Sequence, residues 1–478
     1  MNFVFFVVHF VAVMTAFTLP AGFAARLDAI VGGAHVKRDV ESLERYGVDA
    51  LERGHPADLV VLPADTAEIA AIARLCSDHR VPLVPRGGGT GYTGGSVPVR
   101  GGVVLSLERL NRILRIDEQS LFAVVQPNVI TGDLQDAVER VGLFYPPDPA
   151  SLKESALGGN VAENAGGPRA FKYGVTAHWI LGLEAVLPTG EIIRTGGRVV
   201  KNVVGYDLTH LLVGSEGTLA IVTEITVRLI PKPPVQATLR ATFPSIEHAV
   251  AGVTGLIERR VIPAALEIVD GDCLEAVARY LNVTSLAPPG TAAILLIEVD
   301  GLSELVLGES ARVEQACRAA GATEIQIARD EASRQELWRV RRELSPSLKM
   351  ITPLKFNHDV VVPKGRIPEL FRLVEDLKRN LRLRIPSFGH VGDGNIHVNI
   401  MVDPGDEAEQ ARAHEGERRL FEGVLAMEGS ISGEHGIGFA KAKYLGLELT
   451  PETIALMRRV KQAFDPQGIL NPGKIFPD

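Results

Sequence analysis

The run Arg86-Gly87-Gly88-Gly89-Thr90-Gly91-Tyr92-Thr93-Gly94-Gly95 limits what this 478-residue chain can fold into more than any other stretch. It follows residues 81–85, a short apolar segment expected to be a buried strand. Glycine inside a helix or strand costs conformational entropy, so this density calls for a loop whose backbone closely approaches something. A literal GxGxxG falls at Gly89, Gly91 and Gly94. A nicotinamide-binding unit needs a helix to open directly behind that motif. Here Ser96-Val97-Pro98-Val99 follows, and residues 102–107 have the pattern of another strand. The nicotinamide reading fails on this context. What remains is a nest of backbone N–H groups suited to a pyrophosphate.

Two more regions share the glycine-rich texture. Gly158-Gly159-Asn160-Val161-Ala162-Glu163-Asn164-Ala165-Gly166-Gly167 shows no helical period, and its small residues would let backbone lie against a flat ring system. Lys201-Asn202-Val203-Val204-Gly205-Tyr206-Asp207 and Val213-Gly214-Ser215-Glu216-Gly217-Thr218-Leu219 form the third. A β-branched strand over 220–230 then ends in Pro231-Lys232-Pro233-Pro234, the best linker candidate. Beyond it, strand-like runs such as 292–299 alternate with amphipathic helices such as Ile367–Leu381. That alternation predicts an antiparallel sheet backed by helices, a second domain of α+β type. A helix over 329–344 would set Trp338 three residues before Arg341, with Ser345 one turn beyond. Lys355 and Asn357 would share one face of a following strand. A last helix, Pro451–Phe464, precedes a tail containing Asn471 and Lys474. Residues 26–57 read as short helical segments, and Asp65 as a helix cap with Glu68 completing a capping box.

The strongest chemical pattern is Phe388-Gly389-His390-Val391-Gly392-Asp393-Gly394-Asn395-Ile396-His397-Val398-Asn399-Ile400-Met401, beside Ser432-Gly433-Glu434-His435-Gly436-Ile437-Gly438. In a strand from Asn395, Ile396, Val398 and Ile400 face one way and His397, Asn399 and Met401 the other. The turn after His390 can fold that ring back towards His397. Imidazoles with a carboxylate suit zinc or manganese. His390, His397 and Glu434 would leave a coordination position open, with His435 beside them as a base. The same spacing also allows a hairpin with solvated histidines. Asp393 is expected to shape its turn, and His358 and His414 to lie at the surface.

Composition narrows the function classes. A net charge of −8 without a long basic run disfavours nucleic acid. Cys76, Cys273 and Cys317 are far apart, so no cluster ligands or cysteine zinc site are encoded, and the sparse count fits a reducing, cytoplasmic setting. Residues 2–25 are apolar and uncharged, long enough to span a bilayer. They read as an anchor, a poor signal, or residues ahead of the true start. The third reading is favoured because the globular pattern begins at about Leu27; the first would make the protein membrane-associated.

Taken in order, six motifs resemble one family: VPRGGGTGYTGG, GGNVAENAGG, VGSEGTLAIVTE, GHVGDGNIHVN, SGEHGIG and GILNPGK. They are similar to those of vanillyl-alcohol-oxidase-type flavoproteins, in the branch of glycolate oxidase large subunits, FAD-linked D-lactate dehydrogenases and D-2-hydroxyglutarate dehydrogenases. The resemblance runs from about His55 to the C-terminus. It implies an α+β chain with a two-part FAD-binding domain of the PCMH type over 26–233, a cap domain with an antiparallel sheet over 234–430, and a segment over 431–478 returning to the flavin. It implies that FAD contacts come from Pro85, Arg86, Gly87, Gly88, Gly89, Thr90, Gly91, Thr93, Gly94 and Gly95. Gly159, Asn160, Ala162, Asn164, Gly166, Glu216, Gly217 and Asn471 would complete the set. The first loop holds neither histidine nor cysteine, so FAD is expected to be non-covalent.

The implied reaction oxidises a small D-2-hydroxy acid to the 2-oxo acid, with hydride passing to the flavin. His435 would take the hydroxyl proton with help from a divalent metal. Arg341, matching the family's arginine three residues after a tryptophan, would hold the substrate carboxylate. Ser345, Lys355 and Asn399 are further substrate contacts. Relatives specific for 2-hydroxyglutarate carry a lysine where this chain has Asn357, which favours glycolate or D-lactate. D-2-hydroxyglutarate, or a non-catalytic flavin-binding subunit, are the alternatives. An iron–sulfur or other acceptor subunit is an expected partner, with the chain a homodimer or one subunit of a complex.

Overall fold

The computed structural model describes residues 17–352 and 354–477. The start of the apolar N-terminal run, residues 1–16, lies outside them. Phe23–Val31 is a helix, and Phe23, Leu27 and Val31 are buried in the first core, with Phe17 and Leu19 against it. Folded structure therefore begins ahead of Leu27, because Phe23 and Leu27 recur one helical turn apart on the buried face. No helix of the described residues is long and apolar enough to cross a membrane.

Two sheets build the N-terminal half. Strands Leu59–Val61, Val103–Ser106 and Leu83–Arg86 run parallel, with Val36–Lys37 antiparallel at one edge. Every residue of Leu59–Val61 and Val103–Ser106 is buried, as expected for strands covered on both faces. Asp65 caps helix Thr66–His79 by accepting from Glu68 N, while the Glu68 carboxylate accepts from Ala64 N. The second sheet is antiparallel, in the order Ile113–Asp117, Phe122–Val125, Ile221–Arg228, Ile180–Val186, Ile192–Gly196. No helix follows the first glycine loop, which runs from Leu83–Arg86 into Val103–Ser106. The second glycine region does contain one, Leu157–Glu163. Leu157 and Val161, one turn apart, are buried in the core, and a Cβ at Gly158 would sit 2.7 Å from the Pro127 side chain. Close packing thus overrides the poor helix propensity of Gly158 and Gly159.

After the proline boundary a seven-stranded antiparallel sheet forms. Its order is Glu324–Ile327, Val235–Phe243, Ala293–Gly301, Ala265–Asp270, Ser387–His390, Asn395–Val402, Leu354–Val361. Helices Ile246–Glu258, Ser303–Ala319, Ile367–Leu381 and Glu407–Ala426 cover one face through Leu266, Ile268, Phe356, Ile396, Val398 and Ile400. His358 shares this face, 4% exposed and edge-on to Phe421 at 5.1 Å, so it is not the surface residue that its polarity suggests. The His414 side chain is about half exposed. The helix expected over 329–344 stops at Arg342, and Leu344–Lys349 begins a second one. Pro346 explains the break, because its ring would clash with the carbonyl four residues back. Ser345 consequently lies in the first turn of the second helix.

The chain ends by crossing back to the first half. Helix Pro451–Phe464 is followed by Leu470, which bridges Leu83 in parallel.

Candidate active site

The alternation of the cap strands gathers the polar residues on the sheet's second face. Phe388 lies opposite His397, and His397 opposite Asp359, across three strands. Val269 pairs with Phe388, placing Glu267 and His390 on the same face one step along. His390 and His397 ring centroids are 5.3 Å apart. Glu434 reaches them from its loop, with Oε1 3.3 Å from His390 Nε2 and 3.5 Å from His397 Nε2. The three predicted ligands therefore converge, offering one donor atom each within 4.8 Å of one another. His397 Nδ1 and His435 Nδ1 are buried without a hydrogen-bond partner. The His390 and His397 Nε2 atoms both face Glu434 Oε1, and such a buried imidazole–carboxylate set has the donor chemistry of a divalent-cation site. Asp359, His397 and His435 make a second such group, sharing His397.

Two carboxylates unmarked in the sequence hold this arrangement. Glu267 is fully buried and bridges two site residues: Arg341 Nε donates to one oxygen at 2.5 Å and His390 Nδ1 to the other at 2.5 Å. Burial pushes the Glu267 carboxyl up, but His390 and Arg341 pull harder and hold it at about 2. Glu434 is likewise held at about 2, against burial, by His390 and His397. Burial opposes charge on His390, yet Glu267 and Glu434 together raise it well above an ordinary histidine. His397 is pushed down to about 3 by burial, and burial also lowers His435.

The second carboxylate is Asp359. Its Oδ2 accepts from the backbone N–H of Gly433 at 2.9 Å and of Glu434 and His435 at 2.8 Å each. Glu216 takes the next turn of the loop, accepting from Ile437 N at 2.8 Å and Gly438 N at 2.6 Å. Thr93 Oγ1 donates to the His435 carbonyl. The loop carrying Glu434 and His435 is therefore pinned by both halves of the chain.

In front of His435 opens a cavity of about 1020 Å³, at the top of the roughly 300–1,000 Å³ range of ligand sites. Its wall includes Pro85, Arg86, Gly87, Gly88, Gly89, Thr90, Gly91 and Gly95 from the first loop, and Gly159, Asn160, Ala162, Glu216 and Gly217 from the others. Gly89 has φ +68°, accessible to glycine at no steric cost. The other five expected cofactor residues stand behind the wall. Thr93 and Gly94 meet the His435 loop, with Gly94 packed on Phe439. Asn164 Oδ1 accepts from Ala177 N, and Gly166 lies against Glu434. Asn471 Nδ2 donates to the carbonyls of Gly95 and Glu216 at 2.8 Å each, tying the tail to two of the loops.

Arg341 and Ser345 are on the cavity wall, with the Arg341 guanidinium 4.7 Å from the Phe388 ring centroid. Lys355 and Asn399 are not on the wall. Asn399 is fully buried, its Nδ2 donating to the Pro386 and His397 carbonyls. Asp393 Oδ1 accepts from Asn395 N within its turn, as expected.

Residues 57–196 match the model of the FAD binding domain, and residues 232–475 match that of the FAD linked oxidases, C-terminal domain. The chain belongs to the FAD-linked oxidase family. It is 44% identical to the glycolate oxidase subunit GlcD of Bacillus subtilis, over 88% of this chain and 89% of that protein. It is 38% identical to the D-lactate dehydrogenase of Anaerostipes hadrus, over 87% and 89%. Among solved structures, p-cresol methylhydroxylase superposes with a TM-score of 0.80 at 18% identity, covering 95% of this chain and 96% of that one. The 4-ethylphenol oxidase of Gulosibacter chungangensis gives 0.77 at 21%, covering 96% and 97%. These two neighbours share the fold. This FAD-linked oxidase thus has the two-part FAD-binding architecture and antiparallel cap expected of it, and FAD is its cofactor.

Proposed function

We propose that the chain oxidises a short D-2-hydroxy acid, glycolate or D-lactate in size, to the 2-oxo acid. The observation that carries this is His435 and Glu434 together on the wall of the FAD cavity, with Glu434 facing His390 and His397 off the wall. The names of the relatives, glycolate oxidase subunit and D-lactate dehydrogenase, support it.

Bound FAD supplies a two-electron acceptor for the hydride leaving the hydroxyl-bearing carbon. His390, His397 and Glu434 would hold a zinc or manganese ion, which would supply the Lewis acidity that eases loss of the hydroxyl proton. Burial keeps the His435 imidazole neutral, so a ring nitrogen is free to take that proton. Arg341 holds the substrate carboxylate: Glu267 takes its Nε–H and fixes the plane, leaving the terminal N–H groups for a paired contact. Ser345 borders that position. Glu267 also accepts from His390 Nδ1, which orients Nε2 towards Glu434.

FAD is held without a covalent link. Among the described wall residues there is no cysteine, and the one histidine is His435. Cys76, Cys273 and Cys317 are buried and unpaired, and an iron–sulfur or other electron-acceptor subunit is the partner proposed to reoxidise the flavin. The relative's name, a glycolate oxidase subunit, supports a place in such a complex.

Anaerobic mixing with glycolate, D-lactate, L-lactate and D-2-hydroxyglutarate tests the reaction. Bleaching of the visible flavin band by glycolate or D-lactate is expected, and removal of metal by a chelator should abolish it while the flavin stays bound. A flavin band that no acid bleaches would remove this reaction; full bleaching after metal removal would remove the metal from it.

A further inference from the structure

Tyr92 leaves the first glycine loop and reaches the cap side of the cavity. Its ring centroid is 5.2 Å from that of His435, tilted by 34°. Its hydroxyl is 3.5 Å from Ser345 Oγ. Lys355 Nζ lies 5.8 Å from the same ring centroid. Tyr92, Ser345 and His435 are on the cavity wall and Lys355 is not. The ammonium therefore lies off the wall against the ring of a wall residue. Among the described residues no ion pair holds Lys355; its charge meets an aromatic face instead. Burial pushes it down to about 8, which still leaves a cation at neutral pH.

A ring in contact with the base restricts what the reacting carbon can carry. The hydroxyl must point at His435, so the substituent on the same carbon extends into neighbouring space. Tyr92 fills part of that space, and an unpaired cation waits behind it. We propose that Tyr92 is a side-chain-length gate: it confines the site to acids with hydrogen or methyl on the reacting carbon, and its removal opens the way to Lys355, which then accepts a second carboxylate. This rests on the hydroxy-acid reading above. The gate is the bulk of the ring rather than its hydroxyl, because a 3.5 Å contact to Ser345 is at the weak limit of a hydrogen bond.

The test uses the full-length, flavin-loaded enzyme. Wild type, Tyr92→Phe, Tyr92→Leu, Tyr92→Ala and Tyr92→Ala/Lys355→Met are assayed for kcat/KM on glycolate, D-lactate, D-2-hydroxyvalerate and D-2-hydroxyglutarate with a dye acceptor. Flavin absorbance per polypeptide reports folding and loading, and Tyr92→Leu answers the same question should the alanine variant lose flavin. Tyr92→Phe is expected to keep the wild-type ranking. Tyr92→Ala or Tyr92→Leu should raise both longer acids relative to glycolate by about tenfold or more, the discrimination a pocket exerts on one or two methylenes. The double variant should keep the gain on D-2-hydroxyvalerate and lose that on D-2-hydroxyglutarate. If the small variants change all four substrates by a common factor, the gate is wrong. If the gain on D-2-hydroxyglutarate survives Lys355→Met, the second-carboxylate site is wrong. Failure of the underlying reading looks different: the wild-type flavin is bleached by none of the four acids.

Discussion

Glu267 ties together two residues assigned different tasks, Arg341 and His390. Nothing local in the sequence marks it. It sits inside the buried strand Ala265–Asp270, 74 positions from Arg341 and 123 from His390. His390, His397 and His435 are legible because glycines flank them and because strand alternation assigns their faces. Glu267 and Asp359 are visible only once strands distant in sequence are paired. Glu267→Gln leaves the Arg341 cation buried beside a neutral amide, and breaking such a pair costs about 3–5 kcal/mol. A fall in unfolding free energy of that size is expected, read from the denaturant midpoint multiplied by the transition slope. The acid limb gives an independent check. The Glu267 carboxyl lies at about 2 in the folded chain, below its unfolded value of about 4.3. A depressed carboxylate contributes stability above the unfolded value and loses it as pH falls towards the folded one. Stability should therefore drop between about pH 4 and pH 2 in the wild type. Glu267→Gln should show a shallower drop; equal slopes would remove Glu267 from the acid response.

The element that joins chemistry to fold is the loop Ser432–Gly438. It has no regular structure, and its shape comes from Asp359 on one side and Glu216 on the other. Gly438 shows how little room it has: φ is +52°, and an added Cβ would stand 2.0 Å from the Thr93 carbonyl oxygen. Gly438→Ala must push the first glycine loop and the His435 loop apart. Overpacking of this kind costs about 1–3 kcal/mol. A displacement near 1 Å of a catalytic group can cost on the order of a hundredfold in rate. Turnover should therefore fall by about that factor while the far-ultraviolet circular dichroism is retained; unchanged turnover would show that the two loops move independently. Elements with a strong period were legible to the residue, as with Ile367–Leu381 and Pro451–Phe464. Leu157–Glu163 was not, because Gly158 and Gly159 answer to the approach of Pro127 and not to helix propensity.

At the scale of the molecule, the tail makes the FAD half dependent on the chain's end. Leu470 extends the first parallel sheet beside Leu83, Asn471 clips the first and third glycine loops together, and Lys474 Nζ donates to the Val97 carbonyl at 2.6 Å. Residues beyond 465 thus brace, from behind, the loops that wall a cavity begun at Pro85. The linear order of the motifs hints at such a return but cannot supply its partners, which are backbone carbonyls. A chain ending at Asp465 keeps all its long helices and the seven-stranded sheet, but loses the clip. It should fold its cap and yet purify without flavin absorbance, and added FAD should not restore it. Lys474 refines the test. Burial pushes its ammonium down to about 7, against about 10.4 in an unfolded chain. Between those values the unfolded state binds a proton that the folded state does not, so stability rises with pH across that window. Lys474 Nζ also donates to Asn471 Oδ1 at 3.2 Å, but Lys474→Met keeps both carbonyl partners of Asn471 Nδ2, so it should flatten the rise and still retain flavin where the truncated chain does not. If both variants lose flavin equally, Asn471 cannot hold the loops closed without the Lys474 ammonium bonded to it.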